Sequence, residues 1–289
     1  MNIAIWVAVL GFGIGARAAP VPAPKSDLVL EILGRIYPVD QFPAACANLL
    51  RGEKCEAGSY GSFHIQSRKE GELNSTLTTF SGPEGIQVTE TSLEKDGHVK
   101  KAVIENLALQ KRSELEVRGG KVYYKVTDLT DQSVKTAEED AEENLVVPST
   151  VIPYVAPHFG ALQAGKELRL KVAVLDRRES FSFVMRKIRN EIAIDGAQVM
   201  VLEMAPASFI VKALVDPMYF YVKPGKGELF AFEGRSALRR KQGGQYKEMK
   251  VRTAYEYKVN RYPGAEAGRG CEPGLPFQGE AGKCEVKAQ

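Results

Sequence analysis

A chain of 289 residues, 44% of them hydrophobic and 26% charged, holds enough apolar material for one large domain or two smaller ones, and is too apolar for an intrinsically disordered protein. Its formal charge of +3 is close to neutral, so nothing in the overall balance marks a nucleic-acid binder or a protein built for a strongly anionic partner.

The first predicted element is an export signal. Ile3 to Ile14 is uncharged and apolar but short for a bilayer span, and Ala16-Arg17-Ala18 has the small-x-small pattern of a signal-peptidase site, so residues 1–18 read as a signal peptide cut after Ala18. No cysteine sits just after the apolar run, so the lipid anchor of a bacterial lipoprotein is not expected, and no later stretch has the uncharged length of a transmembrane segment. The mature chain is expected to be soluble, periplasmic or secreted. An even number of cysteines in an exported chain points to disulfides. Three connectivities fit; the local pairs Cys46 with Cys55 and Cys271 with Cys284 are favoured, because closing a short loop loses less chain entropy. Neither pair has the short C-x-x-C spacing of a zinc site.

Residues 19–25 carry three prolines and read as an extended leader. From Ser26, a candidate N-cap, Leu28, Val29, Ile32, Leu33 and Ile36 fit one face of a helix, and 43–50 fits a second short one, so 19–58 is expected to be leader plus helices. The β region is expected from 59 to 262, either whole or as halves 59–135 and 145–262. In its first half, alternating segments 61–69, 73–81, 85–95, 99–110, 113–118 and 121–128 are separated by turn signals such as Asp96-Gly97 and Gly119-Gly120. Short connections of this kind require antiparallel neighbours, with the Thr, Ser, Lys and Glu positions on a wet face. Five acids between Glu138 and Glu143 predict a solvated loop or helix start; the spacing and glycine of a calcium loop are absent. Pro148, Pro153 and Pro157 limit 145–165 to short helical turns. Strands resume over 168–175, 181–189, 191–194, 199–204, 218–223, 228–233 and 250–260, with Asp195-Gly196 as a hairpin signal and 208–215 as a brief helix or further strand. The tail 263–289 is rich in Gly and Pro and holds the last two cysteines.

The order Val147-Pro148-Ser149, Leu162-Gln163-Ala164-Gly165-Lys166-Glu167, the strand beginning at Leu168, the Asp195-Gly196 hairpin, Asp216-Pro217-Met218-Tyr219-Phe220-Tyr221-Val222 and Leu229-Phe230-Ala231-Phe232-Glu233-Gly234 resembles a large, mostly uncharacterised family of exported bacterial proteins. Where many members have a Trp after the hairpin, this chain has Tyr219-Phe220-Tyr221. The resemblance implies a mainly β fold with one long, curved antiparallel sheet, an open barrel or clam shape with a few short helices, broadly similar to periplasmic lipoprotein carriers. It also implies a lipid or other apolar ligand as partner.

Catalytic chemistry finds little support. Gly58-Ser59-Tyr60-Gly61-Ser62 departs from the G-x-S-x-G elbow, phosphate and dinucleotide loops are missing, and the three histidines, His64, His98 and His158, show no partner in sequence. No catalytic, cofactor-binding or metal-binding residue is therefore assigned and the protein is not expected to be an enzyme. The basic run Arg235, Arg239, Arg240, Lys241, Lys247, Lys250 and Arg252 reads as a solvated face rather than an anion site. Two roles stay open: a cell-envelope protein that binds or carries an apolar or lipid-like ligand, or a structural or interaction module of the envelope with a filled core.

Overall fold

A computed structural model describes residues 27–55, 57–192, 196–208, 215–224 and 228–260. The expected export signal, the Pro-rich leader 19–25, Asp195 of the expected hairpin turn, 209–214 and the tail with Cys271 and Cys284 lie outside them. The strands are β1 (Leu28–Pro38), β2 (Gly61–Glu70), β3 (Leu73–Gly82), β4 (Gly85–Lys95), β5 (His98–Asn106), β6 (Lys111–Arg118), β7 (Lys121–Asp128), β8 (Val134–Asp140), β9 (Leu145–Val146), β10 (Leu168–Val174), β11 (Glu179–Ile192), β12 (Gln198–Pro206), β13 (Met218–Lys223), β14 (Glu228–Gln242) and β15 (Gln245–Asn260). All belong to one sheet in the order β8-β7-β6-β5-β4-β3-β2-β1-β15-β14-β13-β12-β11-β10-β9. Every neighbouring pair is antiparallel except β9 with β10. The sheet is curved and unclosed, as the resemblance implies.

The expected helix over 28–36 is instead β1, the strand at the centre of the sheet. Leu28, Leu30, Ile32, Gly34 and Ile36 alternate inward, while Leu33 points out. The same apolar residues satisfy both periods, and the strand prevails because β2 and β15 bond it on both sides. The second expected helix is reduced to 3-10 turns at Val39–Gln41, Ala44–Cys46 and Leu49–Arg51. They bring Cys46 and Cys55 to disulfide distance, Cα to Cα 4.8 Å, in a cluster with Tyr37 and Leu49. Of the acidic stretch, Glu138, Glu139 and Asp140 lie not in a loop but in β8, an edge strand, while Glu142 and Glu143 lie in the turn after it. Charge suits an edge because it repels further strands, and the acids find partners on β7: Lys121 pairs with Asp140 and the Tyr124 hydroxyl donates to Glu139.

Side-chain contacts, rather than strand pairing, draw the curl together. At one place β14, irregular between Arg235 and Arg239, crosses β3 and β4: Arg239 N donates to Gln87 Oε1 (3.1 Å) and the Tyr60 hydroxyl to the Arg239 carbonyl. At another, the inner face of β5–β7 (Val99, Leu115, Val122) packs on Leu145, Ala173 and Leu175 of the β9–β10 end. The strand β10 is therefore buried on both faces, Leu170 and Val172 facing one cluster and Ala173 another.

Between β9 and β10 the Pro-rich segment forms α1 (Val151–Val155) and α2 (Phe159–Gln163), separated by a 3-10 turn. Pro153 and Pro157 keep each piece to five residues or fewer. Val151, Val155, Phe159 and Leu162 still recur at helical spacing and are buried against β10–β13. The segment is a strap across the inside of the curl.

Candidate ligand-binding cavity

The strap does not fill the space under the sheet. A cavity of about 520 Å³ remains, walled by both halves of the sheet and by the strap. That lies within the range of small-molecule and cofactor sites. Leu30, Ile32 and Ile36 of β1 form one part of its wall, Phe63 and Phe80 another, and Phe220 and Phe232 the opposite side, with Val151 and Ile152 above. The aromatic rings stand against one another, Phe63 to Tyr255 at 4.8 Å and Phe220 to Phe232 at 5.1 Å between centroids. Offset and edge contacts of this kind fix the wall's shape.

Gly34 makes room for that wall. It lies opposite Phe63 on β2 and opposite Tyr255 on β15, and the Phe63 ring covers its backbone; a Cβ at Gly34 would stand 1.9 Å from the ring's Cζ.

Polar groups enter the cavity from β3, β4 and the strap, and again from Arg235, Ser236, Thr253 and Asn260 on β14 and β15. Thr78 of β3 and Glu90 of β4 are cross-strand partners, and both line it. Ser149, at the start of the strap, donates its backbone N–H to Glu90 Oε1 (3.0 Å) and its hydroxyl to Ser92 (2.8 Å). Thr76, beside them, donates to Ser67 (3.0 Å). Thr76, Thr78, Glu90 and Ser92 are all buried, so these residues of β3 and β4, expected on the wet face, point inward. Alternation cannot say which of two half-polar faces is inside; the curl decides it. Burial raises the Glu90 carboxyl above its ordinary value, outweighing the Ser149 bonds that oppose the rise. On the far wall burial pushes the Tyr255 phenol up to about 12, and Tyr257, also raised by burial, accepts Leu229 N–H (2.9 Å). Both phenols stay neutral across the physiological range.

No family model matches the chain, and no curated protein matches it. Solved structures do. A β-barrel-like protein of a domain of unknown function (DUF1849) from Brucella abortus is 11% identical, covering 80% of this chain and 98% of its own, with a TM-score of 0.49. A domain assigned to outer membrane lipoprotein sorting from Vibrio parahaemolyticus is 8% identical, covering 82% of this chain and 85% of its own, with a TM-score of 0.26.

The remaining sequence candidates lie elsewhere. His64, on β2, meets Glu31 Oε1 at 3.1 Å; His98 and His158 both stand against the Tyr154 ring. None of the three lines the cavity. Much of the basic run is paired along the β14–β15 hairpin and its surroundings: Arg235 and Arg239 with Glu248, Lys250 and Arg252 with Glu233, Arg240 with Asp40. Among the described residues no helix is long and apolar enough to cross a membrane.

Proposed function

We propose that this protein binds or carries an apolar, lipid-like ligand in the cavity under its curved sheet, in the cell envelope or outside the cell, and performs no chemistry on it. The observation that carries this reading is the cavity itself: about 520 Å³, lined mostly by Leu, Ile, Val, Phe and Met side chains from both halves of the sheet. Burying hydrocarbon against such a wall yields roughly 25 cal/mol per Å² of apolar surface. A cavity of this kind favours a carrier over an envelope module with a filled core. The export signal read at residues 1–18 and the cysteine pair at 46 and 55 support an oxidising location outside the cytosol.

Native mass spectrometry of protein purified from its own host tests the reading. A retained lipid-sized adduct, lost on organic extraction, is the expected result. Repeated absence of an adduct, together with no uptake of an apolar fluorophore by the delipidated protein, would remove the proposal.

A further inference from the structure

The walls of the cavity are mostly apolar, yet two hydroxyls on them, of Thr78 on β3 and Thr253 on β15, are buried and have no hydrogen-bond partner among the described residues; of the two, Thr78 stands beside further polar groups, Glu90 and Ser149. Buried hydroxyls nearly always find a partner. Beside Thr78, Glu90 spends one carboxyl oxygen on Ser149 N–H, and the carboxyl keeps further lone pairs to accept. Ser149 Oγ, which donates to Ser92, retains lone pairs to accept. A donor-and-acceptor group of a ligand would therefore meet both kinds of partner here. An anionic head would not: the cation on the cavity lining is Arg235, its guanidinium engaged by Glu248 (2.8 Å) and its side chain half-exposed to solvent. Ile104 of β5 lies across from Glu90, and an anion placed among these groups would be desolvated without a counter-charge.

Resting on the carrier reading above, we propose that the ligand is an amphiphile with an uncharged hydrogen-bonding group, an ester, amide or hydroxyl, held at the Thr78–Glu90–Ser149 edge while its hydrocarbon occupies the rest of the cavity. The test is displacement of bound N-phenylnaphthylamine from the full-length delipidated protein by decanoylglycerol, which is neutral, and by decanoate, which is an anion with the same chain. Decanoylglycerol is expected to compete at about tenfold lower concentration than decanoate, roughly the value of one or two neutral hydrogen bonds. Thr78→Val, close to isosteric, is expected to weaken decanoylglycerol about five- to tenfold while fluorophore and decanoate affinities stay within about twofold. A thermal melt of the variant establishes that it is folded, and the wild-type ranking needs no variant. Equal or better competition by decanoate, or equal weakening of all three by Thr78→Val, overturns the uncharged-head proposal and leaves the carrier reading standing. Failure of the fluorophore to bind the wild-type protein, together with absence of an adduct in native mass spectrometry, overturns both.

Discussion

At Gly34 the backbone itself is the packing surface, since the Phe63 ring rests where a side chain would be and also packs against the Tyr255 and Phe80 rings. A ring wedged in this way cannot swing aside cheaply, so Gly34→Ala is expected to cost about 1–3 kcal/mol, the usual penalty of overpacking a filled site. Urea denaturation measures it; a loss under about half a kcal/mol would mean that the ring yields freely. Glu90 bears on pH dependence. Burial holds its folded carboxyl above the ordinary value of 4.5. As pH rises past that value the unfolded chain releases the proton while the folded one keeps it. The stability Glu90 contributes is therefore full in acid and declines by up to about 1.4 kcal/mol per pH unit until the folded group also ionises. Glu90→Gln cannot ionise, so the variant is expected to gain on the wild type between pH 5 and 7.5 in denaturant midpoints. A difference that stays constant over this range would show that Glu90 titrates alike in both states. A threonine, a serine and a glutamate at alternating positions look the same in sequence whether they face water or a cavity, which is why this edge was not legible there.

Among elements, β1 and β8 carry opposite burdens. The first is bonded by β2 and β15 and inserts Leu30, Ile32 and Ile36 into the core; the second is an edge with one neighbour, and most of its side chains are exposed. Opening β1 disrupts two ladders and the cavity wall, whereas β8 opens alone. In native-state hydrogen exchange the amides of β1 are therefore expected to be among the slowest, and those of β8 to exchange at least about a hundredfold faster, a gap equivalent to about 3 kcal/mol of local opening. Comparable rates would contradict the central place of β1. Both elements escaped sequence reading for a reason that lies in the neighbours: Leu-Val-Leu-Glu-Ile-Leu fits a helix until two strands claim its backbone, and an acidic run looks like a loop until Lys121 and Tyr124 receive it. By contrast β2 to β7, β10, β12 and β13 lie close to their expected places, because turn signals such as Asp96-Gly97 and Gly119-Gly120 act within a few residues, and the structure puts those glycines at positive φ. The expected strands 181–189 and 191–194 are one strand, β11, and β14 and β15 run on past the expected 233 and 250 to a tight turn at Gly243-Gly244.

For the whole molecule, the period-two alternation and its turns determined a mainly antiparallel β chain with a Pro-limited interruption near its middle, since both signals are local and each residue contributes to them independently of its distant neighbours. One curved sheet was implied by the family resemblance; the tertiary structure alone decided that β1 lies at its centre, that β14 closes over β3 and β4, and that a hollow remains beneath the strap. Curvature comes from the summed twist and irregular register of many strand pairs, and a cavity is the space left after residues far apart in sequence have packed. A filled core and a hollow one require the same inward apolar positions, so only the distances between the walls distinguish them.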